Sequence, residues 1–137
     1  MIFVFDNNLP SALAKSLDAL TKSQFPHHSV CHITDLLPAS TPDEDWIEYL
    51  STNVENYVVI THDKLTKGLE REVLRRVGLK VFMLNKTWRN HKFWDKAVNI
   101  TRWWPRIVNQ AEGVFGGAAF SVGWNFSGKG KFEVIKL

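Results

Sequence analysis

The stretch that decides the fold is residues 2–9, IFVFDNNL, in which four large apolar residues are followed at once by an acid and two amides. An apolar run that ends this abruptly is typical of a buried strand with polar side chains at its carboxyl end. Ligands bind at that edge in open α/β sheets. We therefore expect residues 2–5 to form a buried strand that delivers Asp6 to such an edge.

The pattern of an apolar run followed by an acid recurs further along the chain. Residues 57–60 (YVVI) predict a third strand that is followed by Thr61, His62 and Asp63, and residues 30–33 predict a short second strand that is followed by Asp35. Residues 80–84 predict a fourth strand. Helical patterns separate these runs, so we expect an α/β fold with a mostly parallel sheet.

The first two helices carry recognisable start signals. Asn8 is a plausible N-cap and Pro10 suits the first turn of a helix that ends near Thr21, with apolar positions at Leu13, Leu17 and Leu20. Residues 41–44 (TPDE) predict a second helix start, in which Thr41 is the cap and Glu44 its capping-box partner. A further helix is predicted over residues 69–77.

The second half of the chain is rich in tryptophan and arginine. We predict a helix from about His91 that Pro105 ends or kinks, and then two short strands near residues 119–124 and 131–135. Trp94, Trp103 and Trp104 fit a helix face that covers the sheet. The alternative use of an aromatic here is stacking on a nucleic acid, for which Trp88 beside Arg89 is the candidate.

The length and the charge distribution limit the class of protein. We expect one domain over residues 1–137, with an acidic core in residues 1–84 and a tryptophan-rich extension in residues 85–137. Residues 1–60 carry eight acids and two bases, whereas residues 61–137 carry six acids and fifteen bases. The basic half fits an ordinary solvated surface, or else an enzyme that acts on a polyanion.

Cysteine content and hydropathy indicate the compartment. Cys31 is the single cysteine, which excludes an internal disulfide framework. No run of 18 apolar residues occurs, and the first residues lack a signal-peptide pattern. We expect a soluble, cytoplasmic protein without a membrane partner.

Three carboxylates that are distant in sequence should meet at one edge of the sheet. Asp6 and Asp63 each follow a parallel strand, and Asp43 lies in the first turn of a helix that starts from the same edge. On that helix Asp43 shares the side of the apolar residues, whereas Asp45 points more toward solvent. Clustered carboxylates repel one another unless a cation is present, so the pattern predicts bound Mg²⁺ or Mn²⁺. Asn7 or Asn8 could add a neutral oxygen.

Each of these residues also has a purely structural interpretation. An aspartate after a strand is often a turn or cap residue, and this applies most strongly to Asp35. His62 either helps to hold a phosphate or is a partly exposed loop histidine. The chain has no Walker loop, no G-x-G-x-x-G and no G-x-S-x-G motif, which argues against nucleotide-cofactor enzymes and serine hydrolases.

Four segments together carry a resemblance to a known family. They are FVFDNNL at residues 3–9, TPDEDWI at 41–47, VITHD at 59–63 and RWWPRI at 102–107. In this order and spacing the chain resembles a PIN-like domain, and more narrowly the bacterial VapC-related PIN-like proteins that are often linked to toxin–antitoxin systems. The first three segments cover the general PIN-like core, and the last extends the similarity over most of the chain.

The resemblance implies a three-layer α/β fold, with a mostly parallel central sheet of four or five strands flanked by helices. It also implies an endoribonuclease that depends on Mg²⁺ or Mn²⁺ and uses a metal-activated water to attack a phosphodiester. The family's acids fall on Asp6, Asp43 and Asp63, with Asp45 as the alternative to Asp43.

Residues for the other roles follow from the same hypothesis. The residues expected to attract or hold RNA phosphate are His62, Lys64, Arg71, Arg75 and Arg89. The expected partners are RNA, an antitoxin protein and a second copy of the chain, although the apolar tail could equally cover its own sheet edge. The chain departs from better-studied PIN nucleases because Lys64 directly follows Asp63 and no clear fourth acid is present, a gap that Asp35 would partly fill. The alternative is therefore a catalytically silent domain that binds nucleic acid or protein.

Overall fold

The computed structural model describes residues 1–52, 55–62 and 78–136 of the chain, which form a single sheet with helices on both faces. The strands are β1 (Ile2–Phe5), β2 (Ser29–His32), β3 (Tyr57–Thr61), β4 (Lys80–Leu84), β5 (Ala118–Val122) and β6 (Glu133–Ile135). The α-helices among the described residues are α1 (Ser11–Gln24), α2 (Asp43–Thr52) and α3 (Phe93–Glu112). The helix predicted over residues 69–77 lies outside the described residues.

The strand order explains why the end of β1 is special. The sheet runs β2-β1-β3-β4-β5-β6, in which the first five strands are parallel and β6 is antiparallel to β5. The chain proceeds from β1 outward to β2 on one side and to β3 on the other, so the order reverses at β1. Such a switch point opens a crevice at the carboxyl ends of the two diverging strands. The register pairs Phe5 with Ile60, which sets Asp6 beside Thr61.

The two faces of the sheet are buried under different helices, as a three-layer fold requires. Phe3 and Phe5 of β1 join one cluster with apolar residues of α1 and α3, whereas Val4 joins a second cluster with Trp46 and Ile47 of α2. This alternation follows from the period of two along a strand. The predicted α/β class and three-layer arrangement are confirmed. The sheet has six strands rather than four or five, because both tail strands extend it.

Several local predictions about helix ends were wrong. Helix α1 begins at Ser11 after Pro10, not after Asn8, and it continues to Gln24. Thr21 takes a buried position on its inner face, and Leu20 is half exposed. Helix α2 begins at Asp43, and the Thr41 hydroxyl donates to the carbonyl of Pro38 at 2.7 Å instead of forming the predicted capping box.

Helix α3 continues through Pro105 and does not end there. Proline lacks the N–H that would bond the preceding turn, but the apolar stripe on both sides of it stays on one face. Trp103 and Trp104 before the proline and Ile107 and Val108 after it are all buried against the sheet. Burial of these large side chains outweighs the loss of one backbone hydrogen bond.

The tail after β5 folds back on its own chain. Gly130 has φ +81°, and a side chain there would stand 2.8 Å from Phe126 and 3.1 Å from Trp103. Arg106 of α3 donates to the Gly130 carbonyl at 2.9 Å and lies over the Phe132 ring. These contacts deliver β6 to the edge of β5, so the tail covers its own sheet edge. The predicted homodimer stays a prediction.

No helix within the described ranges is both long and apolar enough to cross a membrane.

Candidate active site at the carboxyl edge of the sheet

The carboxylate of Asp6 is buried at the switch point and held by two donors. Its side chain is 3% exposed. One oxygen, Oδ2, accepts from the Thr61 hydroxyl of β3 at 2.9 Å, and the other accepts from the backbone N–H of Asn7 at 2.5 Å. Hydrogen bonds to a carboxylate favour its charged form and fix its orientation. Asp6 thus has a carboxyl group of fixed orientation at the meeting point of β1 and β3.

The loop that follows Asp6 is fastened to the neighbouring strand. His32, at the end of β2, lies 2.7 Å from the Leu9 carbonyl through Nε2, and its Nδ1 is 3.3 Å from the backbone N–H of Thr34. A carbonyl can only accept and an N–H can only donate, so the geometry assigns the proton to Nε2. The buried imidazole therefore links residues 6–9 to β2 and keeps this edge compact.

Asn7 connects the end of β1 to the approach of α2. Its side-chain amide donates to the carbonyl of Ala39 at 3.0 Å, which brings the loop before α2 beside the switch point. Asp43 follows in the first turn of that helix and is half buried, with Oδ1 accepting from the Trp46 indole at 2.9 Å. Asp45 is exposed. The structure thus places Asp43 on the inner side of α2 and Asp45 on the outer side.

Asp35 has a local structural role. It lies in a 3₁₀ turn (Ile33–Asp35) that follows β2, and its carboxylate accepts from the backbone N–H of His32 at 3.0 Å. This is a cap, the structural interpretation considered for it above. The contact uses one carboxylate oxygen, and the side chain is otherwise exposed.

A basic surface lies at the same edge of the sheet. Asn8 from the loop after β1 and His62 from the end of β3 share a depression of about 320 Å³ with Arg89 and Lys96. A neighbouring depression of about 280 Å³ is also lined by His62 and Arg89, together with Lys86. Arg89, His62 and two further lysines are therefore brought together near the switch point.

The segment that carries these cations is anchored by aromatic residues. Trp88 is fully buried, and its indole N–H donates to the carbonyl of Val122 at 2.9 Å. His91 stacks on Trp124 with ring centroids 3.5 Å apart, and Trp124 also packs edge-on against Trp88. The alternative in which Trp88 is available for stacking is therefore excluded. Its burial instead turns the flanking residues Lys86 and Arg89 outward.

Four of the predicted site residues lie outside the described residues, namely Asp63, Lys64, Arg71 and Arg75. Within the described part of the chain, no three His, Cys, Asp or Glu side chains form a group that could hold a metal ion. The oxygen donors at this edge come from carboxylate, hydroxyl and amide groups, which is the ligand chemistry of a hard divalent cation. The residues present are thus chemically compatible with Mg²⁺ or Mn²⁺.

Sequence reasoning missed the residues that support the site. Thr61 was interpreted only as a residue between the third strand and Asp63. A hydroxyl group in a fully buried strand needs a hydrogen-bond partner inside the protein, and the Asp6 carboxylate is one for Thr61. His32 was not singled out as a functional residue, and it stands within the run predicted as the second strand. The local sequence does not indicate that Lys86 and Lys96 reach the site, since their position depends on how the segment after β4 packs.

The comparisons with known proteins agree with the fold. The profile of the PIN-like domain matches residues 1–86, which is more than half of the chain. Searches of curated proteins and of solved structures found no match. The matched residues contain β1 to β4 and the whole acidic side of the site, with Asp6 and Asp43 in the positions described above. The chain belongs to the family of PIN-like domains.

Proposed function

We propose that this protein is a metal-dependent endoribonuclease that cleaves RNA phosphodiesters. Membership of the PIN-like family indicates a nuclease-type domain in general terms. The proposal of metal-dependent RNA cleavage rests on the position of Asp6. Its carboxylate is buried at the switch point, accepts two hydrogen bonds, and lies at the same edge of the sheet as a basic depression. A fixed carboxyl group on the same sheet edge as cations is the arrangement that a metal ion and a polyanionic substrate require together.

The proposed ligands of the metal ion are Asp6, Asp43 and Asp63. Mg²⁺ or Mn²⁺, when bound, supplies a water of lowered pKa and neutralises charge on the phosphate. Thr61 and the Asn7 backbone orient the Asp6 carboxylate, and Trp46 orients Asp43 in the same way. Asn7, Asp35 and Asp45 remain secondary candidates, with Asp45 disfavoured by its outward position.

The basic residues have the complementary role of holding the substrate. Arg89 and Lys96 face the depression beside His62, where they would bind the phosphates that flank the scissile bond. Lys64, Arg71 and Arg75 are proposed to extend this contact. Backbone contacts of this kind carry no information on base sequence.

The proposal is tested by incubating the purified protein with single-stranded and structured RNAs in Mn²⁺, with and without chelator. The matched variant is Asp6→Asn combined with Asp63→Asn. At position 6 an amide can still accept from the Asn7 N–H, and the Thr61 hydroxyl can reverse to accept from the new NH₂, so the fold should persist. We expect cleavage only by the wild-type protein with metal. Equal cleavage by the double variant would identify a contaminating nuclease.

The alternative is a catalytically silent domain that binds nucleic acid or protein, and the specific feature that favours it is Lys64 in place of a further acid. Metal titration separates the two, because a ligand that binds only the folded state raises the melting temperature. Stabilisation by Mn²⁺ in the wild type and its loss in Asp6→Asn would support the enzyme. No stabilisation would favour the silent domain.

A role as the toxin of a toxin–antitoxin pair rests on the resemblance to VapC-related proteins. Expression in a bacterial host should then arrest growth, and the Asp6→Asn, Asp63→Asn variant at equal abundance should not. Growth arrest by both proteins would remove the toxin proposal without touching the nuclease assay.

A further inference from the structure

Five exposed and uncharged residues of α1 and α3 form one surface on the side of the helices that faces away from the sheet. Trp94 is 77% exposed, Val98 is 62% exposed and Leu20 is 50% exposed. Thr101 and Pro105 are exposed as well. We call these five residues the α1–α3 face. Trp94 was predicted to cover the sheet, and this prediction was wrong.

Helix periodicity and a groove join the residues of this face. Its four residues on α3 follow one another at spacings of four, three and four positions, so they lie along one side of the helix. Leu20 of α1 lines a largely apolar groove of about 200 Å³ together with Thr101 and Pro105. The Thr101 hydroxyl donates to a backbone carbonyl one turn earlier at 2.7 Å, so its polar group is satisfied within the helix. The α1–α3 face is therefore a continuous apolar surface.

The charges of α1 lie away from this face. The residues three or four positions from Leu20 that share its exposed side are uncharged, namely Ser16, Ser23 and Gln24. The charged residues of α1 lie about 140° to 160° round the helix from Leu20, namely Lys15, Asp18 and Lys22. Lysine is depleted at the buried centre of protein–protein interfaces, whereas a polyanion requires cations. An exposed apolar face without lysine therefore fits a protein partner.

The order of residues on α3 fits a second copy of the same chain. Reversing the helix about the middle of the face brings Trp94 to the position of Pro105. The same reversal exchanges Val98 with Thr101. A twofold contact brings one surface patch against its own copy, so it requires a patch that complements itself. Two antiparallel α3 helices meet this requirement, because the large indole of each copy faces a smaller residue of the other.

Two opposite charges beside the face support the same arrangement. Asp95 and Arg102 are both exposed, and they lie on one flank of the face because seven residues complete nearly two helix turns. Within one chain about 10 Å of helix separates them. When two helices pack antiparallel about a twofold axis, each flank meets the same flank of the other copy. Asp95 of each copy then lies beside Arg102 of the other, which gives two complementary ion pairs.

We propose that the α1–α3 face is the contact between two copies of this chain, which pack their α3 helices antiparallel about a twofold axis. Trp94 is the main anchor, since tryptophan is among the residues that contribute most to binding energy at interfaces. The proposal does not depend on the nuclease activity. Helix α3 runs from the carboxyl end of β4 to the amino end of β5, so the two candidate active sites lie at opposite ends of the helix pair.

The test measures the dissociation constant of the dimer by sedimentation velocity of the full chain, without metal or RNA. We expect a wild-type dimer that Trp94→Ala weakens at least about tenfold. The dilute monomer of this variant should keep its stability, because Trp94 is exposed there. The matched control is Phe115→Ala, which removes a ring that is 98% exposed beyond the end of α3 and should associate as the wild type does.

Charge reversals test the direction in which the helices pair. Asp95→Arg sets two cations against each other at both ends of the contact, and Arg102→Asp does the same with two anions. Each variant alone should therefore associate at least about tenfold more weakly than the wild type. An equal mixture of the two variants should recover the wild-type affinity, because the mixed dimer restores both ion pairs. Recovery in the mixture also shows that both variants are folded.

A wild type that stays monomeric up to its solubility limit would overturn the inference. A dimer that Trp94→Ala leaves unchanged would do so too, as would a mixture of the two charge variants that stays monomeric. A monomeric wild type whose affinity for RNA falls in Trp94→Ala would assign the face to nucleic acid and would likewise overturn it. Because the assay contains no metal and no RNA substrate, failure of the dimer leaves the nuclease proposal untouched.

Discussion

The two sides of the cleft are built by different principles. The acidic side is a carboxylate at the end of a central strand, held by partners from β3 and from its own loop. The basic side is formed mainly by the segment between β4 and α3 and by the first turn of α3, and one buried tryptophan and a stacked histidine position that segment. The acidic side therefore depends on sheet register, and the basic side depends on side-chain packing. Substitutions on the two sides should therefore differ in their effects.

The largest effect is expected at Trp88, on the basic side. Trp88→Ala removes a fully buried indole and its hydrogen bond to Val122, so the free energy of unfolding should fall by about 3–5 kcal/mol. Trp94→Ala, six residues later, removes an exposed indole and should change it by less than about 0.5 kcal/mol. Urea denaturation of both variants measures the difference. Equal destabilisation by the two substitutions would contradict the conclusion that Trp88 anchors this segment and Trp94 lies on the surface.

The next effect concerns two acids in one helix turn. Asp43→Asn keeps an oxygen for the Trp46 indole but loses the charge, and the RNA cleavage rate should fall about 100-fold if Asp43 is a metal ligand. Asp45→Asn is the matched control, because Asp45 is exposed on the other side of α2, and its rate should stay within about twofold. A larger loss in Asp45→Asn would reverse the assignment of the second acid.

The thiol of Cys31 on β2, the strand next to β1, allows a test that needs no substrate. Burial, and then the negative charges of Asp35 and Asp18, raise the pKa of Cys31 to about 11. At pH 8 the thiolate fraction is about 100-fold lower than for a thiol of pKa 9. A thiolate of higher pKa is also more nucleophilic, which offsets part of this difference. Alkylation of Cys31 should therefore be about tenfold slower in the folded chain than in the unfolded chain. Iodoacetamide labelling followed by mass spectrometry gives both rates, and this is the single cysteine.

The same shift predicts how stability depends on pH. The folded chain keeps the thiol proton to higher pH than the unfolded chain does, so the stabilisation is complete below about pH 9 and is lost as the pH rises toward about 11. A Cys31→Ala variant should lack this component of the alkaline decline. An identical decline in the variant would exclude Cys31 as its source.

The smallest effect is expected for a single cation on the basic side. Arg89→Gln should weaken binding of single-stranded RNA a few-fold and should lower the dependence of log affinity on log salt by about 0.7. Lys15→Gln on α1 removes an exposed cation from the acidic half and should change neither quantity. Binding titrations at three salt concentrations measure the slope. An unchanged slope in Arg89→Gln would show that Arg89 does not touch phosphate.

The sequence was informative wherever a short-range rule decides the structure. The strand at residues 2–5 and its acid were predictable because an apolar run and its polar end are adjacent in the chain. The outward position of Asp45 followed from helix periodicity alone. Strand β4 was predicted with the bounds that the structure has.

The remaining features depend on contacts between distant residues. Pro105 was expected to interrupt α3, but the helix continues because residues on both sides of it bury large side chains on one face. Trp94 was predicted to be buried and Trp88 was named as the alternative for stacking, whereas Trp94 is exposed and Trp88 is buried. A tryptophan carries no local sign of its burial. The Asn7 bond to Ala39 and the His32 bond to Leu9 join loops that no pattern connects.

The hydrogen bond between Thr61 and Asp6 also bears on the order of events during synthesis. The two residues are 55 positions apart, and their contact exists only after β3 has docked beside β1. Contacts of such long sequence separation form late, because the loop must close first. A nascent chain that has not yet exposed Thr61 therefore has an unpositioned Asp6. Because Thr61 is residue 61 of 137, this hydrogen bond to Asp6 can form only after nearly half of the chain has been synthesised.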